Sequence, residues 1–477
     1  MKLDVTWISI AAAVFCWGHF LNAFAEEGPK APSPLSEQEQ ELPPSKDQDR
    51  APPGVGSVGE PVSEGPKKSA RYSLHTQATT VSQGHNAIGS PYSGPNSLSP
   101  GPEYRTSLTA TVFLGVTIWP DGQLYFNPEL SAGSGVSQTH GVAGFPNGEI
   151  YRVDDPNPKP SPARLYFQQV FALGEEREYV EDDLNQIASM TPKNRFTLIL
   201  GKFSLNDFFD TNTYAHDPRT QFLNWALWEN GAWDYAADTR GYTVGAYGEF
   251  NWPTFAIRYA RVMEPAQANL MKFDTNVAKA HGDNLELEQR YRIADHPGRT
   301  RILGYINSAN MGNYATTIAT PAYQMDVTQS RSYSKKYGLG LNFEQELAAD
   351  VGFFLRAGWD DGKTETWAFT EIDQTLGGGF SIKGTSWDRE SDVLGVAYVM
   401  NGISRDHRDY LQDGGVGFMV GDGTLTYGME KIIESFYLYK IVKQFGASAD
   451  IQYVINPGYN KDRGPATIMA LRLHYEN

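Results

Sequence analysis

Within one short stretch the chain carries Asp207, Asp210, His216, Asp217 and Arg219, set among Phe208, Phe209 and Tyr214. Carboxylates, an imidazole and a guanidinium this close can serve two chemistries. One is general acid–base catalysis; the other is holding a passing solute by hydrogen bonds and aromatic stacking. The spacing speaks against the first. His216 has no second histidine at ligand spacing and no HExxH pattern around it. The sequence holds no G-x-S-x-G, no P-loop and no grouping fit for nucleophilic catalysis. Asp360-Asp361-Gly362 and Asp422-Gly423 look like fragments of calcium loops, but turn chemistry explains them. An enzyme is therefore not expected, and no metal or other cofactor is implied. Trp225 and Trp233 follow closely and offer aromatic faces for stacking. A plainer account stays open beside this one. Asp217-Pro218-Arg219 can be an Asp-capped turn with a salt bridge, and residues 221–227 a helical turn packing Phe222, Trp225 and Leu227 on a wall.

What must position these residues is written in period two. Leu285 and Leu287 alternate with Glu286 and Glu288; Leu339, Leu341 and Phe343 with Gly340, Asn342 and Glu344; Met469, Leu471 and Leu473 with Ala470 and Arg472. Each is a strand with one apolar and one polar face. About sixteen such runs follow Arg71. Their connections alternate between mostly short ones (120–122, 251–253, 294–299, 348–350) and long ones (135–163, 204–242, 313–334, 403–429). The connection 174–194 is the exception, being long for a turn. Alternating turns and loops on an even number of strands is the pattern of an antiparallel transmembrane β-barrel of the outer-membrane type. Aromatics near strand ends (Trp119, Tyr125, Tyr166, Phe203, Tyr259, Tyr291, Tyr337, Trp359, Tyr437, Tyr453) are expected in its interfacial girdles. Inward parity then falls to Arg258, Glu286, Arg290, Glu344, Arg356, Asp450 and Arg472. Opposed rows of Arg and acid either set a field across the lumen or stiffen the wall as ion pairs.

The chain of 477 residues has a net charge of −16, which excludes nucleic acid as a natural partner. Residues 1–25 read as a secretory signal, an apolar run ending in Ala23-Phe24-Ala25. The only cysteine, Cys16, lies inside it, so the mature chain has no disulfide framework. Residues 26–69 are Pro, Glu, Gln and Ser with almost no large apolar side chain and read as a disordered spacer. Residues 70–477 form the barrel domain, embedded in outer-membrane lipid. A homo-oligomer and an envelope partner for residues 26–69 are left open.

Four phrases carry a family resemblance: GKFSLNDFFDTNTYAHDPRTQFLNWAL, NGAWDYAADTRGYT, SRDHRDYL and INPGYNKDRGPATIMALRLHYEN. They resemble the OprB-type carbohydrate-selective porins of Gram-negative outer membranes. The resemblance implies a sixteen-stranded barrel that passes small sugars by passive diffusion, with the third long loop, 204–242, folded inward to narrow the channel. On that expectation the solute-facing candidates are Asp207, Asp210, His216, Asp217, Arg219, Trp225, Trp233, Arg258, Glu286, Arg290, Glu344, Arg356 and Arg472. Competing functions are a general or ion-preferring porin, and a barrel for polysaccharide export or adhesion. Two things depart from the family's pattern: the chain finishes Tyr475-Glu476-Asn477, where such barrels usually finish on an aromatic residue, and the long spacer 26–69 is not expected of the sugar porins.

Overall fold

In the computed structural model the described residues are 69–150, 156–369 and 371–477. The signal-like segment and all of the spacer but Ser69 lie outside them. Eighteen strands occur among the described residues: β1 (Tyr72–His85), β2 (Glu103–Trp119), β3 (Gly122–Gly133), β4 (Lys159–Ala172), β5 (Arg177–Val180), β6 (Ser189–Pro192), β7 (Arg195–Phe203), β8 (Thr243–Asn251), β9 (Phe255–Met263), β10 (His281–Ile293), β11 (His296–Met311), β12 (Ser332–Ala348), β13 (Val351–Asp360), β14 (Gln374–Gly384), β15 (Arg389–Gly402), β16 (Glu430–Val442), β17 (Phe445–Ile455) and β18 (Ala466–Glu476). Sixteen close into one barrel, and β5 and β6 form a separate hairpin. Chain neighbours pair antiparallel, and the seam is β1 on β18, with Ala78 opposite Tyr475. Closure satisfies every strand edge, which lipid requires. Among the described residues no helix is long and apolar enough to cross a membrane.

The alternation does what its period dictates. Leu285, Leu287, Leu339, Leu341, Met469 and Leu471 are exposed on the outside, while Glu286, Glu288, Asn342, Glu344 and Arg472 are buried within. The tight turns sit at one end, together with both ends of the strand set; this is the periplasmic end of such a barrel. The β10–β11 turn needs only Ala294 and Asp295, both at positive φ (48° and 67°), the two-residue geometry that matches strand twist. The end of the chain is tied into the seam. Asn477 Oδ1 accepts from Thr76 N (2.9 Å) and Thr76 Oγ1 (2.8 Å).

The girdle expectation holds for part of its residues. Trp119, Tyr259, Tyr337, Trp359 and Tyr453 face outward, but Tyr125, Tyr166 and Phe203 are buried in the lumen. Being near a strand end says nothing about the face; parity decides it, and Tyr125 shares parity with the inward Asn127 and Glu129. The hydrophobic core is correspondingly inside the barrel. Phe145, Phe222, Trp225, Trp228, Trp233, Tyr235 and Phe369 from the long loops pack with Phe354 and Phe436 from the wall.

Candidate functional site

The third long loop, 204–242, enters the lumen and is fixed there by side chains of the wall. It leaves β7 through a 3-10 turn, Leu205–Asp207, where the Asp207 carboxylate accepts from Ser204 N (3.1 Å) and from the Arg164 guanidinium of β4. Asp210 follows at φ 52°, a conformation that Asp tolerates better than most residues. Its carboxylate is clamped by Arg356 Nε (2.8 Å) and accepts from Asn342 Nδ2 (2.8 Å) and Asn230 N (2.8 Å). Its own N–H donates to Glu286 (2.7 Å). Thr213 then places its N–H on Glu344 (2.6 Å).

A recurrent device is visible here. Wall or loop carboxylates accept pairs of backbone N–H groups from loops that have no secondary structure to satisfy them. Glu434 takes Leu223 N and Asn224 N at 2.5 and 3.0 Å. Glu430 takes Ala143 N and Gly144 N at 2.9 and 2.8 Å. Glu371 takes Met419 N and Val420 N at 2.8 and 2.7 Å, and Asp234 takes Trp367 N and Ala368 N at 2.8 and 2.7 Å. In each case an irregular backbone is held at lumen depth by charge-assisted bonds.

Apart from Asp207, held by Arg164 where the loop leaves β7, the sequence-derived candidates fall into three groups. Asp210, Glu286, Glu344 and Arg356 meet directly around the loop. Arg258 joins them through Glu286 (2.7 Å), and Arg290 through Glu288, which Arg258 also contacts (3.2 Å). Trp225 and Trp233, each 1% exposed, form the second group. Trp225 opens a single helical turn, α1 (Trp225–Trp228), capped by Asn224, and its ring packs on Phe145, Phe369 and Tyr235. Trp233 donates its indole N–H to Asn284 at 2.9 Å. The third group lies on residues 213–221, the loop's half-buried stretch. There Asp217 caps its turn by accepting from Arg219 N (3.0 Å) and Thr220 Oγ1 (2.6 Å). Burial would raise the Asp217 carboxyl, but the Arg219 guanidinium, His474 and these bonds outweigh it and hold it below its ordinary value. His216 meets the Asn206 carbonyl through Nε2 (2.9 Å), and burial, with Arg356 nearby, keeps its imidazole below the usual range. Arg472 on β18 supports the stretch from beneath by donating to the carbonyls of Pro218 (2.5 Å) and Gln221 (2.8 Å).

Arg219 itself, 21% exposed, points at acids that sequence parity only half disclosed. It bonds Glu149 in the second long loop at 3.0 Å and approaches Glu129 on β3 at 3.9 Å. Glu129 has inward parity and was accessible to the same argument as Glu286; Glu149 lies in a loop without period and gave no signal. Among the described residues no group of His, Cys, Asp or Glu is arranged to hold a metal ion. The arrangement offers fixed charge, hydrogen-bond donors and acceptors on a loop folded against the inner wall of the barrel.

The barrel resembles solved outer-membrane channels. Pseudomonas putida OprB superposes with a TM-score of 0.63 at 14% identity, covering 85% of this chain and 94% of that one. Acinetobacter baumannii OccAB1 gives 0.47 at 10% identity, over 85% of this chain and 96% of that one. The DcaP channel of Acinetobacter baumannii gives 0.46 at 10%, over 85% and 97%. Among curated proteins none matches this sequence. Residues 101–476 match the family described as carbohydrate-selective porin, OprB family. The chain is thus an integral β-barrel of the outer membrane and belongs to the OprB family of carbohydrate-selective porins.

Proposed function

We propose that this porin passes small neutral saccharides by passive, selective diffusion. The supporting observation is the division of labour in the third loop. Residues 222–237 are buried and anchor it, and residues 213–221 leave Asp217, Arg219, Thr220 and Gln221 half-buried at the lumen. On this reading Arg219 with Glu149 forms the solute-facing strip. Trp225, Trp233, Arg258, Glu286, Arg290, Glu344 and Arg356 hold that strip in place. Sugars present hydroxyls that both donate and accept, and a strip of several weak polar contacts lets them enter and leave. Swelling of liposomes carrying the protein, with sugars of increasing size, tests this: monosaccharides and disaccharides pass and trisaccharides lag. Swelling that follows size equally for sugars and uncharged non-sugar polyols speaks instead for a general porin. The density of paired charge in the lumen favours an ion-preferring channel as second reading, and reversal potentials with added sugar separate the two.

A further inference from the structure

The connection between β4 and β7, long for a periplasmic turn, does not hang in solvent. Its hairpin, β5 and β6, folds back across the periplasmic mouth. Arg177 binds Asp121 with two bonds (3.0 and 2.8 Å). Asn127, inside the barrel on β3, donates to Asn185 at the hairpin tip (2.8 Å). Ala70 N donates to Ala188 O (2.7 Å), and His75 on β1 meets Asp182 at 3.1 Å. Ile187 is buried in the lumen against Tyr125, where a Cβ on Gly115 would lie 3.0 Å from its side chain. The hairpin is therefore a wall.

Between this wall, strands β2 to β4 and the underside of the third loop at Phe208 lies a cavity of about 470 Å³. That is the size of small-ligand sites. Its lining differs in character from the charged strip above. Asp121 is taken up by Arg177, and Arg195 faces Glu178 at 3.6 Å. Arg71, at the rim, lies over the Tyr72 ring (5.6 Å), and the rest of the lining is uncharged, with aromatic rings and carboxamides among hydroxyl and aliphatic side chains. Tyr125 and Tyr166 lie with ring centroids 5.1 Å apart. Tyr125 Oη and Gln168 Nε2 both donate to Gln123 Oε1, at 2.8 and 3.1 Å. Among the described residues the Gln123 amide nitrogen and the Gln168 amide oxygen have no side-chain partner and can meet a solute hydroxyl, and Gln186 on the hairpin lines the same space.

We infer that this vestibule is a second solute station, a periplasmic-side binding site for one small neutral saccharide. Aromatic rings take the C–H face of the sugar and fixed carboxamides take its hydroxyls. The inference rests on the sugar-porin function proposed above. It predicts that a sugar approaching from the periplasm is held before it meets the third loop.

The test is a planar-bilayer recording in which maltose is added to one side at a time. In the wild type, periplasmic maltose interrupts the ion current in events of its own residence time. The double variant Gln123→Ala, Gln168→Ala removes both carboxamide contacts, shortens those events about tenfold or more, and leaves extracellular events unchanged. Arg219→Ala does the reverse. Should the double variant fail to assemble, Gln186→Ala probes the same wall from outside the barrel's strands and shortens the same events. Maltose block that persists unchanged in the folded variants overturns the vestibule site and leaves the sugar function standing. Absence of maltose block from either side of the wild type overturns both.

Discussion

Arg356 on β13 and Asp210 in the third loop stand 146 residues apart in the chain and meet at 2.8 Å, both buried. Arg356 also donates to the Asp210 carbonyl (2.9 Å) and to Leu227 O (2.8 Å), so one guanidinium holds both arms of the loop. Replacing it with Ala leaves the Asp210 carboxylate buried and without its cation. Breaking such a pair costs roughly 3–5 kcal/mol. The barrel itself is secured by its strand ladder, so the cost falls on the loop. Arg356→Ala is expected to keep its heat-modifiable folded band and to give a noisier, more conductive channel. Unchanged conductance and noise would place the loop's anchorage elsewhere.

Arg219 is the cation of the half-buried strip, and its removal takes from Glu149 its ion-pair partner at 3.0 Å and from Glu129 a cation at 3.9 Å. Arg219→Ala is expected to raise single-channel conductance and shift selectivity towards cations. Sugar block weakens as well, because a charge-assisted hydrogen bond worth about 1.5–3 kcal/mol is lost. Reversal potentials and glucose or maltose block measure both effects. A folded variant with unchanged selectivity and block would reduce Arg219 to a tie between two loops.

The seventh long loop carries a helix, α2 (Arg405–Gln412), pinned by His407. The imidazole lies 3.1 Å from Asp373 and 3.7 Å from Glu371, and stacks on Tyr314 with centroids 4.5 Å apart. Burial would lower its pKa, but Asp373 and Glu371 outweigh this and raise it to about 9. A raised histidine stabilises the folded loop fully below its ordinary pKa near 6.5 and loses that contribution as pH climbs through about 9. The difference amounts to roughly 3 kcal/mol. Current noise in the wild type should therefore rise between pH 7 and 10 as α2 loosens. His407→Phe keeps the stacking and removes the titration. An identical pH profile in that variant would assign the alkaline change to other groups.

Strand count, loop alternation and parity were readable because a lipid-spanning strand has only two faces and lipid penalises the wrong one. Leu341 and Arg472 could be assigned from their neighbours alone. The identity of each inward partner was not readable. Arg356 has inward parity, but no local signal says that Asp210 waits opposite it. Residues in irregular loops, such as Glu149 and Glu371, carry no period at all. Trp225 and Trp233 read as stacking platforms from their type; Trp225 is buried against Phe145 and Phe369, which arrive from other loops, and Trp233 against Phe209 and Tyr235.

The neighbours Leu341 and Asn342 separate these two kinds of information. Leu341 is 37% exposed on the lipid face of β12, and Asn342 is 2% exposed in the lumen. Leu341→Arg puts a charge into lipid near mid-strand, at a cost of roughly 2–4 kcal/mol in barrel assembly. Parity alone would let Asn342 change freely, since it faces away from lipid. The structure gives it a task instead. Its Nδ2 donates to Asp210 O and Oδ1 (2.8 Å each), and its Oδ1 accepts from Asn212 (2.8 Å). Each such bond contributes about 1 kcal/mol. Asn342→Ala is therefore expected to assemble at the wild-type yield yet conduct like Arg356→Ala, with a loosened third loop. Leu341→Arg is expected to do the opposite: little folded protein in the outer membrane, and normal conductance in what does fold. Folded yield from membrane fractions and single-channel recordings on both variants decide it. Equal yields for the two would mean that β12 turns the other face to the lipid.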